Sequence, residues 1–368
     1  MRSDDIAHQR LYHQRLTQPD LATPAEVVRW FGATQAQEFA WSLYAISLRM
    51  PETTEPPTPT QPDIERAIAE RAIVRTWPMR GTIHFVPAED AQWMLKLLAR
   101  RTNLTAASIY RRVGLTADIF ARAGDVLAQA LHGGKLLTRK ELYATLAAAG
   151  IATGGEQRGL HLLGYWAREG LICLGPRQGK QTTFTLLDEW ILQARQLAGD
   201  EALAMLASRY IASHGPATAY DFAWWTGLTL TEARRGIQLI ERDLARETVA
   251  GQTYWASPTP TPTPPTGHRA YLLPPYDEFT VAYKDRSAAL DPAFPNDPFL
   301  ILGLVIVVDG RLVGSWKRTL TKDAVVVSLR LFAPLDGEQQ AAVAQAAARY
   351  GRFVGLPVVI EWQMESAE

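Results

Sequence analysis

The sequence of 368 residues has a single cysteine, Cys173, which excludes an intramolecular disulfide framework and a cysteine-rich metal site. Its seven histidines are scattered, and His8 and His13 stand five apart where a metal-binding helix face needs four. No metal and no other cofactor is expected. The chain also lacks net charge, because 38 Lys+Arg balance 38 Asp+Glu. That excludes a polybasic binder working by bulk charge, so any nucleic-acid surface must be local. Long apolar runs are missing too. The longest, FLILGLVIVV at 299–308, is about half of a membrane span. The N-terminal MRSDDIAHQRLYHQR is charged where a signal peptide would be apolar. These absences predict a soluble intracellular protein that does not engage a membrane.

What is present is ordinary globular composition, 47% hydrophobic and 21% charged, at a length that suits two to four modules. The clearest unit lies at 138–187. TRKELYATLAAAG opens on Thr138 with Glu141 in capping-box spacing and closes at Gly150, which predicts one helix. EQRGLHLLGYWAREG, at about 155–169, places Leu160, Leu163, Tyr165 and Trp166 at roughly helical spacing. LICLGPRQGKQTTFTLL then reads as two β-runs around a turn carrying Arg177 and Lys180. Helix, turn, helix and basic-tipped hairpin is the winged-helix pattern.

The pattern recurs. A helix at 200–214 precedes a short one capped by Thr218, then a helix over 229–244 opening on Thr229 or Thr231, and a hairpin at 246–257 around Ala250-Gly251. Trp224 and Trp225 read as core of this unit. A fainter copy near the N-terminus comprises PAEVVRWFG, a glutamine-containing helix, DIERAIAERAIV and the hairpin RTWPMRGTIHFV, turned at Pro78-Met79-Arg80-Gly81. Alternating Thr and Pro at 51–63 and 257–267 predict an extended loop and a spacer. Beyond the second spacer the period becomes that of strands, with a turn at Asp309-Gly310 and an alanine-rich helix at 336–352. The expected fold is therefore mainly α with β wings: three tandem winged-helix units followed by a C-terminal β-rich, barrel-like module. The boundaries expected are 1–95, 96–190 and 191–257 for the winged units, 258–267 for the linker, and 268–368 for the C-terminal module.

Within FGATQAQEFAW at 31–41, Gln35 and Gln37 sit two apart in a stretch that reads as the start of a helix after Gly32. On an ideal helix such a pair diverges, so the two converge on one small molecule only if the backbone leaves helical geometry. The stretch EVVRWFGATQAQEFAWSLYAISLR, followed by VRTWPMRGTIHFVPAED and LLPPYDEFTVAYKDRS, resembles the bacterial AlkZ/YcaQ-like winged-helix DNA glycosylases over most of the chain. The resemblance implies a C-shaped clamp of three winged helices with a β-rich C-terminal part. It implies a monofunctional glycosylase acting on alkylated purines, including crosslinked ones, with Gln35 and Gln37 as the catalytic motif. One branch of that family carries Asp at the second position; this chain carries Gln.

A purine alkylated at N7 or N3 is cationic and leaves C1′ without being protonated, so the general acid of ordinary glycoside hydrolysis is dispensable. Two amide oxygens can then hold the water and face the developing oxocarbenium ion. The expected activity is base release from N7-alkylguanine and N3-alkyladenine in double-stranded DNA, within base-excision repair. The enzyme is expected as a cytoplasmic monomer at the bacterial nucleoid. The candidates for DNA contact are Arg80 and His84 on the first hairpin, Arg158 and His161 on the second helix of the 138–187 unit, and Arg177 and Lys180 on its wing. Asp277, Lys284, Asp285 and Arg286 read as an ion-paired network joining the β module to the winged helices. The alternative is a non-enzymatic winged-helix regulator whose glutamines read adenine edges. It would need a dimerisation element, and no heptad run exists here.

Overall fold

The structure, a computed structural model, describes residues 3–54, 57–258, 266–332 and 334–364. Two compact units emerge, and neither follows chain order. One comprises Gly32–Gln37 and Glu65–Met205; the other collects Met1–Phe31, Glu38–Ile64 and Leu206–Glu368.

The first unit is organised on a six-stranded sheet. Its order is Thr34–Gln35, Thr82–Pro87, Ile73–Met79, Ile172–Leu174, Thr183–Leu186 and Leu137–Thr138. The expected first and second wings are thus joined edge to edge, through Arg75 opposite Leu174. The first hairpin turns on Arg80 and Gly81, both at positive φ (54° and 74°), the geometry a two-residue hairpin turn demands. Helix Arg139–Ala148 starts where its capping box predicts, with the Thr138 side chain accepting from the Glu141 N–H. It packs with helices Ala117–Leu131 and Arg158–Arg168 around Leu127, Leu131, Leu142, Leu146, Leu162 and Leu163, all buried.

In the second unit, capping boxes at Thr218 and Thr229 start helices Ala219–Thr226 and Leu230–Ile240, followed by the hairpin Ala245–Val249 and Gln252–Ala256. The C-terminal sheet runs Ala270–Leu273, Val305–Val308, Arg311–Leu320, Val325–Leu331, Val358–Met364. It is open, so the barrel-like expectation is corrected. The reason is the last connection: helix Gly337–Val354 returns the chain so that Val358–Met364 pairs parallel to Val325–Leu331 and ends the sheet there. Of the Thr/Pro spacer at 257–267, residues 259–265 lie outside the described residues, and so do residues 55 and 56 of the earlier Thr/Pro loop.

This unit is pinned by a buried polar chain. Arg49 donates from both terminal nitrogens to Asp277, at 2.6 and 2.7 Å, and to Gln14 Oε1 at 3.2 Å. Gln14 donates to the Tyr283 hydroxyl at 3.0 Å, which in turn donates to the His214 carbonyl at 2.8 Å. The expected ion-paired network of Asp277, Lys284, Asp285 and Arg286 is corrected: Asp277 pairs with Arg49, while Lys284 and Arg286 lie over Trp224 and Asp285 accepts from the Ser287 N–H.

Two histidines in this unit are buried. Burial lowers the pKa of His13 to about 4, helped by the nearby Arg15 charge. Burial also lowers that of His214, against the opposing hydrogen bond and charge of Glu278. An unfolded chain takes up these protons near pH 6.5 while the folded one resists. For His13 the stabilisation is therefore complete above about pH 6.5 and is lost as pH falls toward 4. For His13 the loss is on the order of 3 kcal/mol. His13→Leu, which leaves the main-chain carbonyl that accepts from Trp30 Nε1 in place, should show a smaller fall in Tm between pH 7.5 and pH 4.5 than the unaltered protein. Thermal melts at the two pH values measure this, and an equal fall in both proteins would assign the acid sensitivity elsewhere.

Candidate active site

The glutamines do not open a helix. Helix Phe39–Ser47 begins only after Glu38, and Gln35 belongs to a strand two residues long. That strand exists because it pairs antiparallel with Thr82–Pro87, Thr34 opposite Phe85 and Gln35 opposite His84. The ladder continues past its end, where the Ala36 N–H donates to the Ile83 carbonyl at 2.8 Å. Extended backbone alternates side chains between two faces. Thr34 and Ala36 accordingly point inward, at 6% and 0% exposure, while Gln35 is half-buried and Gln37 exposed on the opposite side. A spacing of two, which separates residues on a helix, brings them together on a strand.

Both carboxamides are oriented by main-chain donors. The Gln37 N–H donates to Gln35 Oε1 at 2.7 Å, and the Ile83 N–H donates to Gln37 Oε1 at 3.2 Å. A carboxamide oxygen can accept two hydrogen bonds. The peptide between them is clamped from below by Arg75. Its Nε and Nη2 donate to the Ala36 carbonyl at 3.1 and 2.8 Å, and Nη2 also reaches the Gln37 carbonyl at 3.4 Å. Arg75 is only 6% exposed, so these charge-assisted bonds form away from bulk water.

Gln35, His84 and Thr76 stand abreast on three neighbouring strands. His84 is fully buried, with Nδ1 donating to the Thr82 carbonyl at 3.0 Å. It is therefore buried beside Gln35 and not exposed at the surface. A groove of about 930 Å³ adjoins the site through Ile83 and Arg75, which line it. Trp77, Tyr143 and Phe184 make its walls apolar, and Arg139, Lys140 and Lys180 bring positive charge. Gly159 lets Tyr143 into that wall: a Cβ at residue 159 would lie 2.5 Å from Tyr143 Cζ.

The six expected DNA-contact residues separate on this surface. Lys180 lines the groove; Arg80, His84, Arg158, His161 and Arg177 do not. Arg158 is spent on main-chain carbonyls, donating to Ala152 at 2.8 Å and also to Val113, so it ties the helix start to two loops. His161 stands edge-on to Tyr110, 6.0 Å between centroids, and burial together with Arg168 and Arg112 lowers its pKa. Arg177 donates to the Lys180 carbonyl at 3.0 Å and stiffens the wing tip. Arg75, Arg139, Lys140 and Tyr143 were not singled out from the sequence. For the pair Arg139-Lys140 a signal was available, since both directly follow the Thr138 cap. For Arg75 there was none, because its partners lie across the sheet. Among the described residues no cluster of His, Cys, Asp or Glu could hold a metal ion, and no helix is long and apolar enough to cross a membrane.

Comparison with known proteins agrees with this architecture. The chain is 29% identical over 340 residues to the interstrand DNA cross-link repair glycosylase of Streptomyces sahachiroi, across 84% of this chain and 85% of the relative. The solved structure of Streptomyces sahachiroi DNA glycosylase AlkZ superposes with a TM-score of 0.76 at 24% identity, across 97% of this chain and 98% of that one, so the fold is shared. The family profile described as DNA glycosylase AlkZ-like matches residues 28–353, and the chain belongs to that family, the AlkZ-like DNA glycosylases.

Proposed function

We propose that the chain hydrolyses the N-glycosidic bond of cationic N-alkylpurines, N7-alkylguanine and N3-alkyladenine, in double-stranded DNA. Gln35 and Gln37 are the catalytic residues of this reading. The observation that carries it is the pair of carboxamide oxygens on one side of an extended backbone, each already oriented by a main-chain N–H. A water that donates to both oxygens is held with its own lone pair available to C1′. As the C1′–N bond breaks, its electron pair goes to the cationic base, which leaves neutral. Positive charge passes to the sugar, where the amide dipoles oppose it. Water then adds to C1′, and its spare proton goes to solvent. The groove cations Arg139, Lys140 and Lys180 suit the phosphates beside the lesion. The relative's name, as a cross-link repair enzyme, supports including crosslinked purines among the substrates. Family membership does not favour the regulator reading.

Replacing either glutamine by alanine should lower single-turnover base release on the order of ten- to thousandfold. Duplex affinity should stay near that of the unaltered enzyme, because an exposed or half-exposed amide contributes little to stability. Unaltered excision rates in both variants would remove the glutamines from the mechanism.

Arg75 acts through the backbone it clamps. Arg75→Met should slow excision on the order of tenfold to a hundredfold, the equivalent of one or two charge-assisted hydrogen bonds, with little change in duplex Kd. Arg75→Lys should recover part of the rate, since an ammonium can serve one of the two carbonyls. A merely structural arginine would instead lower Tm in both variants without separating their rates.

With no protonating group in the reading, lesion charge decides the outcome. A panel of single-lesion duplexes scored for abasic sites should show release of N7-alkylguanine and N3-alkyladenine, and none of uracil, 8-oxoguanine or ethenoadenine. Efficient release of a neutral base at pH 7 would require a general acid and overturn the reading.

A further inference from the structure

The unit that lacks the glutamines carries its own cationic surface, on helix Ala219–Thr226. Trp225 is core, as the sequence suggests, but Trp224 is not: the first is 0% exposed, the second 36%, and Tyr220 is 56% exposed. Tyr220 and Trp224 are four residues apart, so they share one face, about 6 Å from each other along the helix axis. Each ring holds a cation. The Arg234 guanidinium lies 6.0 Å from the Tyr220 ring centre; Lys284 Nζ and the Arg286 guanidinium lie 4.8 and 5.5 Å from that of Trp224. The indole N–H is already committed to the Val281 carbonyl at 3.0 Å, which fixes the ring beneath its two cations.

The charges on this face are only partly offset, since the Asp221 and Asp285 carboxylates act on Arg286 from nearby. Asp221 is buried and accepts the main-chain N–H groups of Lys284 and Asp285, at 2.8 and 3.4 Å, which locks the 284–286 turn onto the helix. The Asp285 carboxylate turns to the Ser287 N–H at 2.9 Å, and that of Glu232 serves the cap at Thr229. Arg286 donates from Nε to the Thr280 carbonyl at 2.5 Å, while its Nη2 is buried without a hydrogen-bond partner. Among the described residues no carboxylate pairs directly with any of the three cations gathered on these two rings, which leaves positive charge for an anion to meet.

We propose that this face grips the sugar-phosphate backbone of DNA as a second contact, separate from the groove beside the glutamines. Two cationic positions one helical turn apart suit neighbouring phosphates of one strand. Rings covered by cations are not offered for base stacking or for insertion between lipid chains. The contact is therefore with phosphate and independent of sequence. The proposal rests on the reading of the chain as an enzyme acting on DNA.

The test compares the full-length protein with the double variant Arg234→Gln/Lys284→Gln. The control is Lys317→Gln/Lys322→Gln, which removes two exposed cations from the sheet region of the same unit. Affinity for a lesion-free duplex is measured by fluorescence anisotropy across a range of NaCl concentrations. The patch variant should bind roughly tenfold more weakly near 0.1 M salt, with a log Kd against log salt slope shallower by about two units. The control should keep the original slope, and all three proteins should melt alike. At saturating DNA the excision rate of the patch variant should be unchanged. A slope equal to that of the unaltered protein, or an equal loss in the control, overturns the proposal. So does a variant that keeps its DNA affinity and loses only binding to phosphatidylserine vesicles, which would make this a membrane surface. Duplex binding by the unaltered protein without base release would defeat the glycosylase reading and leave this one standing.

Discussion

Everything in the site depends on the period of an extended chain. Thr34–Gln35 is too short to be a strand by its own propensity, and it is one only because the edge of Thr82–Pro87 supplies its partners. That pairing fixes which side each residue takes. Thr34 and Ala36 fill the interior, while Gln35 and Gln37 share the other side. A slip of one residue in register would exchange the two sets, burying the amides and exposing Thr34 and Ala36. Arg75 opposes such a slip, because its guanidinium is set to the Ala36 and Gln37 carbonyls. The placement of the two glutamines and the sheet's register are thus one constraint.

The other unit shows the same economy with a buried charge. Asp277 lies in PPYDEFT, far along the chain from Arg49, and the two meet by a bidentate pair with almost no exposure. Removing one partner would leave a charge in a dry interior, a loss of roughly 3–5 kcal/mol, so the pair acts as a strict condition on how these segments come together. It also explains why the units ignore chain order. Segments near both ends share one interior, and the intervening 65–205 builds its own around a different sheet.

These long-range conditions mark the limit of what could be read from the sequence. The capping box at Thr138, the cap at Thr218, a helix start at Thr229 or Thr231, and turns at Ala250-Gly251 and Asp309-Gly310 are local chemistry and were legible. So were the identities of Gln35 and Gln37 as the pair to watch, by resemblance. Their backbone was not, because a two-residue strand leaves no periodic trace and a helix follows only four residues later. Trp224 and Trp225 look alike as letters, and only the packing of helix Ala219–Thr226 decides which enters the core. Arg158 looked like a recognition-helix cation because sequence does not show carbonyls, and two carbonyls hold it. The open C-terminal sheet was hidden for a related reason: strand count was legible, but the parallel final pairing was not.

The choice of an amide over a carboxylate follows from the same backbone. A glutamine side chain presents either an acceptor or a donor end, and free rotation would leave both populated. Here the Gln37 and Ile83 N–H groups act as donors to the two side chains, which favours the oxygen ends and turns the NH₂ groups away. A carboxylate would accept the same donors with more charge, and would also repel the phosphates that must approach it. An oriented neutral dipole keeps the attraction for a developing cation, which acts over a few ångströms, and avoids the longer-ranged repulsion from phosphate. Such a site can stabilise positive charge at C1′ but cannot donate a strong acid's proton to a leaving base. In the proposed function, selectivity for bases that are already cationic is therefore a consequence of how two main-chain N–H groups point.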